Sequence, residues 1–365
     1  MGRRPTLADV ADRAGLSKTA VSLVLNNRPN SRLSAEAEQR VREAARELNY
    51  RPNPAARSLR IGKTRTVGFI SDDVTVTRYA SAMIRGLLDV AETREHTVVI
   101  AETGSSTRRM QQALEVMLDR QADGIIFGLM AARQITIPQI AADVPVVMLN
   151  ATSTQGHTAV LPAEYDAGYQ NTRLLLDRGH QRIGVIGDSP PDGIFKPHES
   201  ATLNERFAGI HAALAESAVE PLIKVRLRSW EPNAGYTSMH QILHSGADVT
   251  GLICLNDRLA FGAYQALHEA NLKVPDDVSI VSFDDDDLAS YLRPGLTTAR
   301  LPYEEMGRKA MELVLADTRE THPYLVPMQL QQRGSVGSVP NSLVFPPPVP
   351  QAGPRVESGI AQIGS

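Results

Sequence analysis

Apolar positions follow three regimes along the chain. They recur at helical spacing in residues 7–48, gather in short continuous runs from Thr66, and lose any period from about Ser338. In the first regime Val10, Ala11 and Ala14 line one face of a short helix, and Ala20, Val21 and Val24 line a face of a second, the stripe of helices that pack on one side. Gly15 can take the left-handed conformation that ends the first helix, and Ser17 stands where the second needs an N-cap. Ala11 is small where the two helices must cross. Ala, then Gly four residues on, then Val six further is helix-turn-helix spacing, and the second helix of that motif reads a DNA major groove. An ordinary αα-hairpin in a core is the alternative. Pro29 and Asn30 break the chain before a third helix, from about Ala35 to Leu48, capped by Ser34 with Val41, Ala44, Ala45 and Leu48 inward.

The second regime starts with the runs TVGFIS, TVVIAE, GIIFGLM and PVVMLN, separated by helical segments, and restarts with RIGVIG, GLICLN and VSIVSF. Continuous apolar strands alternating with helices predict parallel sheets covered on both faces. Two such series, split near Pro162–Ala167, predict two similar α/β subdomains. The helix over 80–94 carries the expected stripe of Ala80, Met83, Ile84, Leu87, Leu88 and Ala91. Between the regimes, Pro54 can start a helix, but residues 54–60 are too few to be helical alone. Leu59 is then a candidate wedge into a minor groove; a plain linker is the alternative. The tail 338–365, with three prolines in a row at Pro346–Pro348, has no period and is predicted to be disordered.

Charge sharpens this division. The net charge of −3 conceals 14 Lys and Arg against 6 Asp and Glu in residues 1–65, and 24 against 35 in the remainder. A basic helical block on an acidic body is the footprint of a nucleic-acid-binding arm. The single cysteine, Cys254, excludes an internal disulfide and lies in an apolar run that reads as a buried strand. No apolar run approaches the ~20 residues of a membrane span, and MGRRPTLADV has no apolar secretion region. The expectation is a cytoplasmic chain with no membrane partner.

Candidate chemistry sits at the strand ends, because open parallel sheets bind ligands beyond the carboxyl ends of their strands. Asp72 and Asp73, Asn150, Asp188, Asn256 and Asp257, and Asp284 occupy those places. Carboxylates and amides there suit hydroxyl groups of a polar ligand, although solvation of a loop accounts for any one of them. Asp284–Asp287 is a poor metal site, since consecutive carboxylates on one turn cannot all converge on an ion. No G-x-G-x-x-G follows the first strand, no G-x-S-x-G occurs, and the nine histidines lack metal-ligand spacing. No catalytic residue, metal or cofactor is assigned.

TLADVADRAGLSKTAVSLVLN, ELNYRPNPAARSL, the stretch from Asp166 to Gly187, Arg206-Phe207-Ala208-Gly209, Asn256-Asp257, VPDDVSIVSFDDDD and RPGLTTARLPYEEMG occur in order. In that order and spacing, residues 5–336 resemble a LacI/GalR-family transcriptional regulator. The resemblance implies an α/β protein with a helix-turn-helix headpiece (1–50), a hinge helix and linker (51–63) and a two-lobed periplasmic-binding-protein-like core (64–337). Lobe 1 would span about 64–163 and 295–324, and lobe 2 about 164–294 and 325–337. It also implies a repressor acting as a homodimer on a palindromic double-stranded operator, controlled by a small-molecule effector, with a mono- or oligosaccharide expected from the polar strand ends. Matched residue by residue, Lys18, Thr19, Ser22 and Leu23 face the major groove, with Ser17 and Asn26 beside them. Thr6, Arg32, Ser34, Tyr50 and Asn53 hold phosphates, and Ala56 and Leu59 enter the minor groove. Many members have Arg where this chain has Leu23, which exchanges a guanine reader for an apolar contact. Effector contacts fall on Asp72, Arg206, Trp230, Asn256 and Asp284, with Asp73 next to the first. Two rival readings are a solute-binding transport protein with the same core and an α/β enzyme with an incidental nucleic-acid arm.

Overall fold

The structure is a computed structural model that describes residues 5–25, 33–51, 62–75, 78–140, 143–188, 195–227 and 229–339. The head is built of α1 (Leu7–Ala14), α2 (Lys18–Leu25) and α3 (Ala35–Glu47). Thr6 and Asp9 close a capping box on α1, and Gly15 ends the helix at φ 65°, the conformation that costs glycine nothing. Val10, Val21 and Val41 are fully buried where the three helices meet, with Ala11, Ala14, Val24, Ala44 and Ala45 around them. Ala20 is only half-buried, so α2 turns a narrower apolar stripe inward than its sequence suggests. The proposed hinge residues 52–61 and the tail 340–365 lie outside the described residues.

The core contains two sheets of six strands. The first uses β1 (Thr66–Ser71), β2 (Thr97–Glu102), β3 (Gly124–Ile135), β4 (Val146–Ser153), β5 (Thr158–Pro162) and β11 (Tyr324–Val326), in the order β11-β5-β4-β3-β1-β2, all parallel. Alternate strand residues separate into two buried faces, as the two-residue period of a strand requires. Val67, Phe69, Val147 and Leu149 meet α4 (Arg78–Thr93) and α11 (Tyr303–Leu315), whereas Ile70, Phe127 and Met148 meet α5 (Thr107–Asp119). The second sheet uses β6 (Ile183–Asp188), β7 (Ile223–Arg226), β8 (Gly251–Cys254), β9 (Ser279–Asp284), β10 (Thr297–Arg300) and β12 (Leu330–Gln331), in the order β12-β10-β9-β8-β6-β7. Its helices are α6 (Glu164–Asp177), α7 (Leu203–Glu216), α8 (Pro232–His244) and α9 (Asp257–Glu269), with the short α10 (Asp287–Tyr291).

Two expectations need correction. β10 pairs with β9 over Thr297–Arg300, and β11 pairs with β5. The chain therefore re-enters the first lobe after Arg300 rather than at 295, and leaves it after Val326 rather than 324. β3 also runs beyond GIIFGLM. After a register shift between Gly128 and Arg133, residues 133–135 pair with Ala151–Ser153 of β4, and residues 136–140 and 143–145 form no helix. That extension reaches the second lobe, where Gln134 N donates to Pro197 O (2.7 Å) and Ala201 N to Ala132 O (2.8 Å).

Candidate functional sites

In the head, Ser17 Oγ accepts from Ala20 N (3.2 Å) and starts α2, whose Lys18 and Thr19 are exposed while Ser22 and Leu23 are half-buried. Val21 and Val24 fix the opposite face in the core. α2 thus presents Lys18 and Thr19 outward on a rigid support, as a helix entering a groove must. The hydroxyls of Thr6 and Ser34 serve as caps, accepting from Asp9 N (3.4 Å) and Ala37 N (3.2 Å). They put the starts of α1 and α3 where backbone N–H groups and the helix dipole favour phosphate. Tyr50 packs on the head core, and its burial raises the phenol's pKa. Asn26, Arg32, Asn53, Ala56 and Leu59 lie outside the described residues.

In each lobe the strand order reverses beside the first strand, between β1 and β3 and between β6 and β8. Such switch points open the crevice in which doubly wound sheets bind ligands. Arg206, on α7, is 3% exposed and donates through Nε and Nη2 to both carboxylate oxygens of Glu164 on α6 (2.7 and 2.9 Å). Its Nη1 donates to Leu255 O (2.6 Å), and its guanidinium lies 4.2 Å from the Phe283 ring centroid. The α6–α7 crossing is close because Gly168 and Gly209 sit in it. A Cβ on Gly168 would meet Arg206 O at 2.2 Å, and one on Gly209 would meet Tyr165 O at 2.0 Å.

Asp284 ends β9 with φ 107°. Burial pushes its carboxyl well above the usual carboxylate range, against the pull of Arg206. The protonated acid can donate a hydrogen bond as well as accept one. Asn256 caps α9, accepting from Leu259 N (2.8 Å) and donating to Trp230 O (3.0 Å). Its amide oxygen is thereby engaged in the cap, and its amide nitrogen holds the backbone of the half-buried Trp230. The next three aspartates diverge: Asp285 pairs with Arg333 (2.6 Å), Asp286 caps α10, and Asp287 opens that helix.

Asp72 is buried at the end of β1, and its carboxylate is already occupied. It accepts from Arg133 Nη2 (3.0 Å), Met130 N (3.1 Å) and Asp73 N (3.0 Å). Asp73, half-buried, enters this arrangement through its backbone. Asn150, at φ 51°, donates to Leu129 O (2.9 Å). Glu164 and Arg133 escaped the reading of the sequence. A carboxylate in the first turn of α6 was a faint signal for Glu164, and Arg133 follows its apolar run with no signal of its own.

A helix-turn-helix head with an exposed second helix, carried on a two-lobed core with polar strand ends, defines a DNA-binding transcriptional regulator with a ligand-binding core. Residues 6–53 match the bacterial regulatory proteins of the lacI family, and residues 172–336 match the periplasmic binding protein-like domain. The chain belongs to the LacI family. The ribose operon repressor of Escherichia coli K12 is 31% identical over 331 residues, covering 89% of this chain and 96% of that protein. The crystal structure of a putative LacI-family transcriptional regulator from Rhizobium etli superposes with TM-score 0.66 at 27% identity, covering 75% of this chain and 99% of that one. The lac repressor dimer bound to operator and the anti-inducer ONPF shares the fold at TM-score 0.72 and 24% identity, covering 92% of this chain and 100% of that one. Among the described residues no helix is long and apolar enough to cross a membrane.

Proposed function

We propose that this regulator is a cytoplasmic repressor and not an enzyme, that it binds a palindromic operator as a homodimer, and that a sugar-like effector between the lobes controls its grip. The observation that carries the effector reading is the buried Arg206–Glu164 pair with Asp284 beside it. Arg206 spends three of its five N–H groups on Glu164 and Leu255, so donors remain for a ligand oxygen. Asp284 can serve a hydroxyl in either sense, and Trp230 offers an aromatic face to the C–H side of a sugar ring. In the head, Lys18 and Thr19 read base edges, with Ser17, Ser22, Leu23 and Asn26 completing the major-groove face. Thr6, Arg32, Ser34, Tyr50 and Asn53 hold the backbone. Ala56 and Leu59 enter the minor groove at the operator centre, so that a change of lobe arrangement releases or tightens the paired hinges.

Fluorescence anisotropy with a palindromic duplex tests this reading. Affinity should fall steeply with salt and retain sequence preference, and one member of a saccharide panel should shift it. A relative named for a ribose operon makes ribose the first sugar to try. Equal affinity for every duplex, or indifference to every saccharide and saccharide derivative, would remove the operator or the effector half respectively.

A further inference from the structure

We propose that Arg133 is an effector-specificity residue of the first lobe, and that it selects an effector carrying an oxyanion, a carboxylate or a phosphate, on its polyhydroxyl body. The inference rests on the effector reading given above. A free Asp72 at the β1 end would accept hydrogen bonds from ligand hydroxyls. Its two oxygens instead receive Arg133 Nη2, Met130 N and Asp73 N, and its side chain is 5% exposed. Those three contacts consume most of the capacity of a carboxylate, which offers about four lone-pair sites. The group left to address a ligand is the guanidinium. Arg133 is 30% exposed, and its Nε and Nη1 have no hydrogen-bond partner among the described residues. A guanidinium only donates, so the end of β1 offers a ligand a donor in place of the acceptor that a free Asp72 would be.

The surroundings agree. Arg133 lines a cavity of about 450 Å³ at the carboxyl ends of β1 and β3, together with Asp72, Thr103, Ser105 and Thr107. Among the described residues Asp72 is the sole carboxylate in that lining, and it is occupied. α5 begins at the same wall with Thr107, and its dipole adds positive potential there. Arg133 is also held in place before any ligand arrives. The residues on either side of it bond to the second lobe, Ala132 O receiving Ala201 N and Gln134 N donating to Pro197 O. A donor fixed in advance loses less freedom when it binds, which favours affinity. Its carrier is the β3 extension, where pairing with β4 replaces a crossover helix.

Calorimetry and thermal shift on the full chain test this with pentose and hexose series, each as neutral sugar, sugar phosphate and aldonate, at matched ionic strength. A phosphate or an aldonate should bind and raise the melting temperature where its neutral parent does not, and the two arms separate the two sources of charge. Arg133→Gln should weaken that probe at least about tenfold, with anion binding by the head unaffected. Arg133→Lys, which keeps a partner for Asp72, should retain part of the affinity and guards against a folding defect in the first variant. If a neutral sugar binds as tightly as its charged forms, or if both variants bind the charged probe like the parent, the anion inference is wrong and the effector reading stands. If no probe binds the parent and none alters operator affinity, both are wrong.

Discussion

Glu164 holds Arg206 by both of its carboxylate oxygens, and the two residues are 4% and 3% exposed. They lie on different helices, 42 residues apart. Removing one partner of such a pair leaves a buried charge uncompensated, a cost of about 3–5 kcal/mol. Glu164→Gln should lower unfolding stability by that order in urea titration and weaken effector binding by loosening Arg206. Retention of parental stability would mean that solvent enters the site and the pair contributes little.

Gly168 admits that pairing. A Cβ there would meet Arg206 O at 2.2 Å, so Gly168→Ala must push α7 away from α6. We expect a loss of about 1–3 kcal/mol, as for other overpacked interiors. A weaker effector response should accompany it. Calorimetry of the full chain, parent against variant, measures the loss, and an unchanged unfolding transition would show that the two helices absorb the methyl group without cost.

Asp257 makes stability depend on pH. It is fully buried at the start of α9 and accepts from Asp286 N (2.7 Å), and burial pushes its carboxyl up to about 7. The folded chain therefore holds a proton that the unfolded chain releases near pH 4. This contribution is fully present below about pH 4 and is lost as pH rises through about 7. Asp257→Asn imitates the neutral acid. Between pH 5 and 8 the parent should lose about 2–3 kcal/mol relative to the variant, measured as the difference of two denaturant titrations. A difference that stays flat with pH would show that the carboxyl titrates normally.

Lys18 and Val21 separate recognition from folding within one helix. Lys18→Ala should cost about 1–3 kcal/mol of discrimination between operator and mismatched duplex without changing the melting of the head. Val21→Ala, at a fully buried position, should destabilise the head and weaken every duplex alike. Anisotropy beside circular dichroism distinguishes the two. A uniform loss on all duplexes from Lys18→Ala would assign that side chain to phosphate contact.

What the sequence determined by itself is what neighbouring residues decide. The helices of the head follow from Val10, Ala11, Ala14, Val21 and Val24 at helical spacing, from Gly15 at a left-handed turn, and from Ser17 and Ser34 at caps, all contacts within about four residues. The strands follow from apolar runs that sheets buried on both faces require. Tertiary structure decided the rest. Thr297–Arg300 joins the second sheet because β9 offers it a free edge, and no local pattern in β10 names that partner. Asp72, legible as a carboxylate at a strand end, was claimed by Arg133 from 61 residues away, once the extension of β3 carried the arginine over the end of β1. Asn256 likewise became a support for Trp230, because the cap of α9 faces the loop before α8. Propensity and periodicity act over a few residues, whereas the partner of a buried charge is chosen by desolvation, which takes effect only when distant segments have come together.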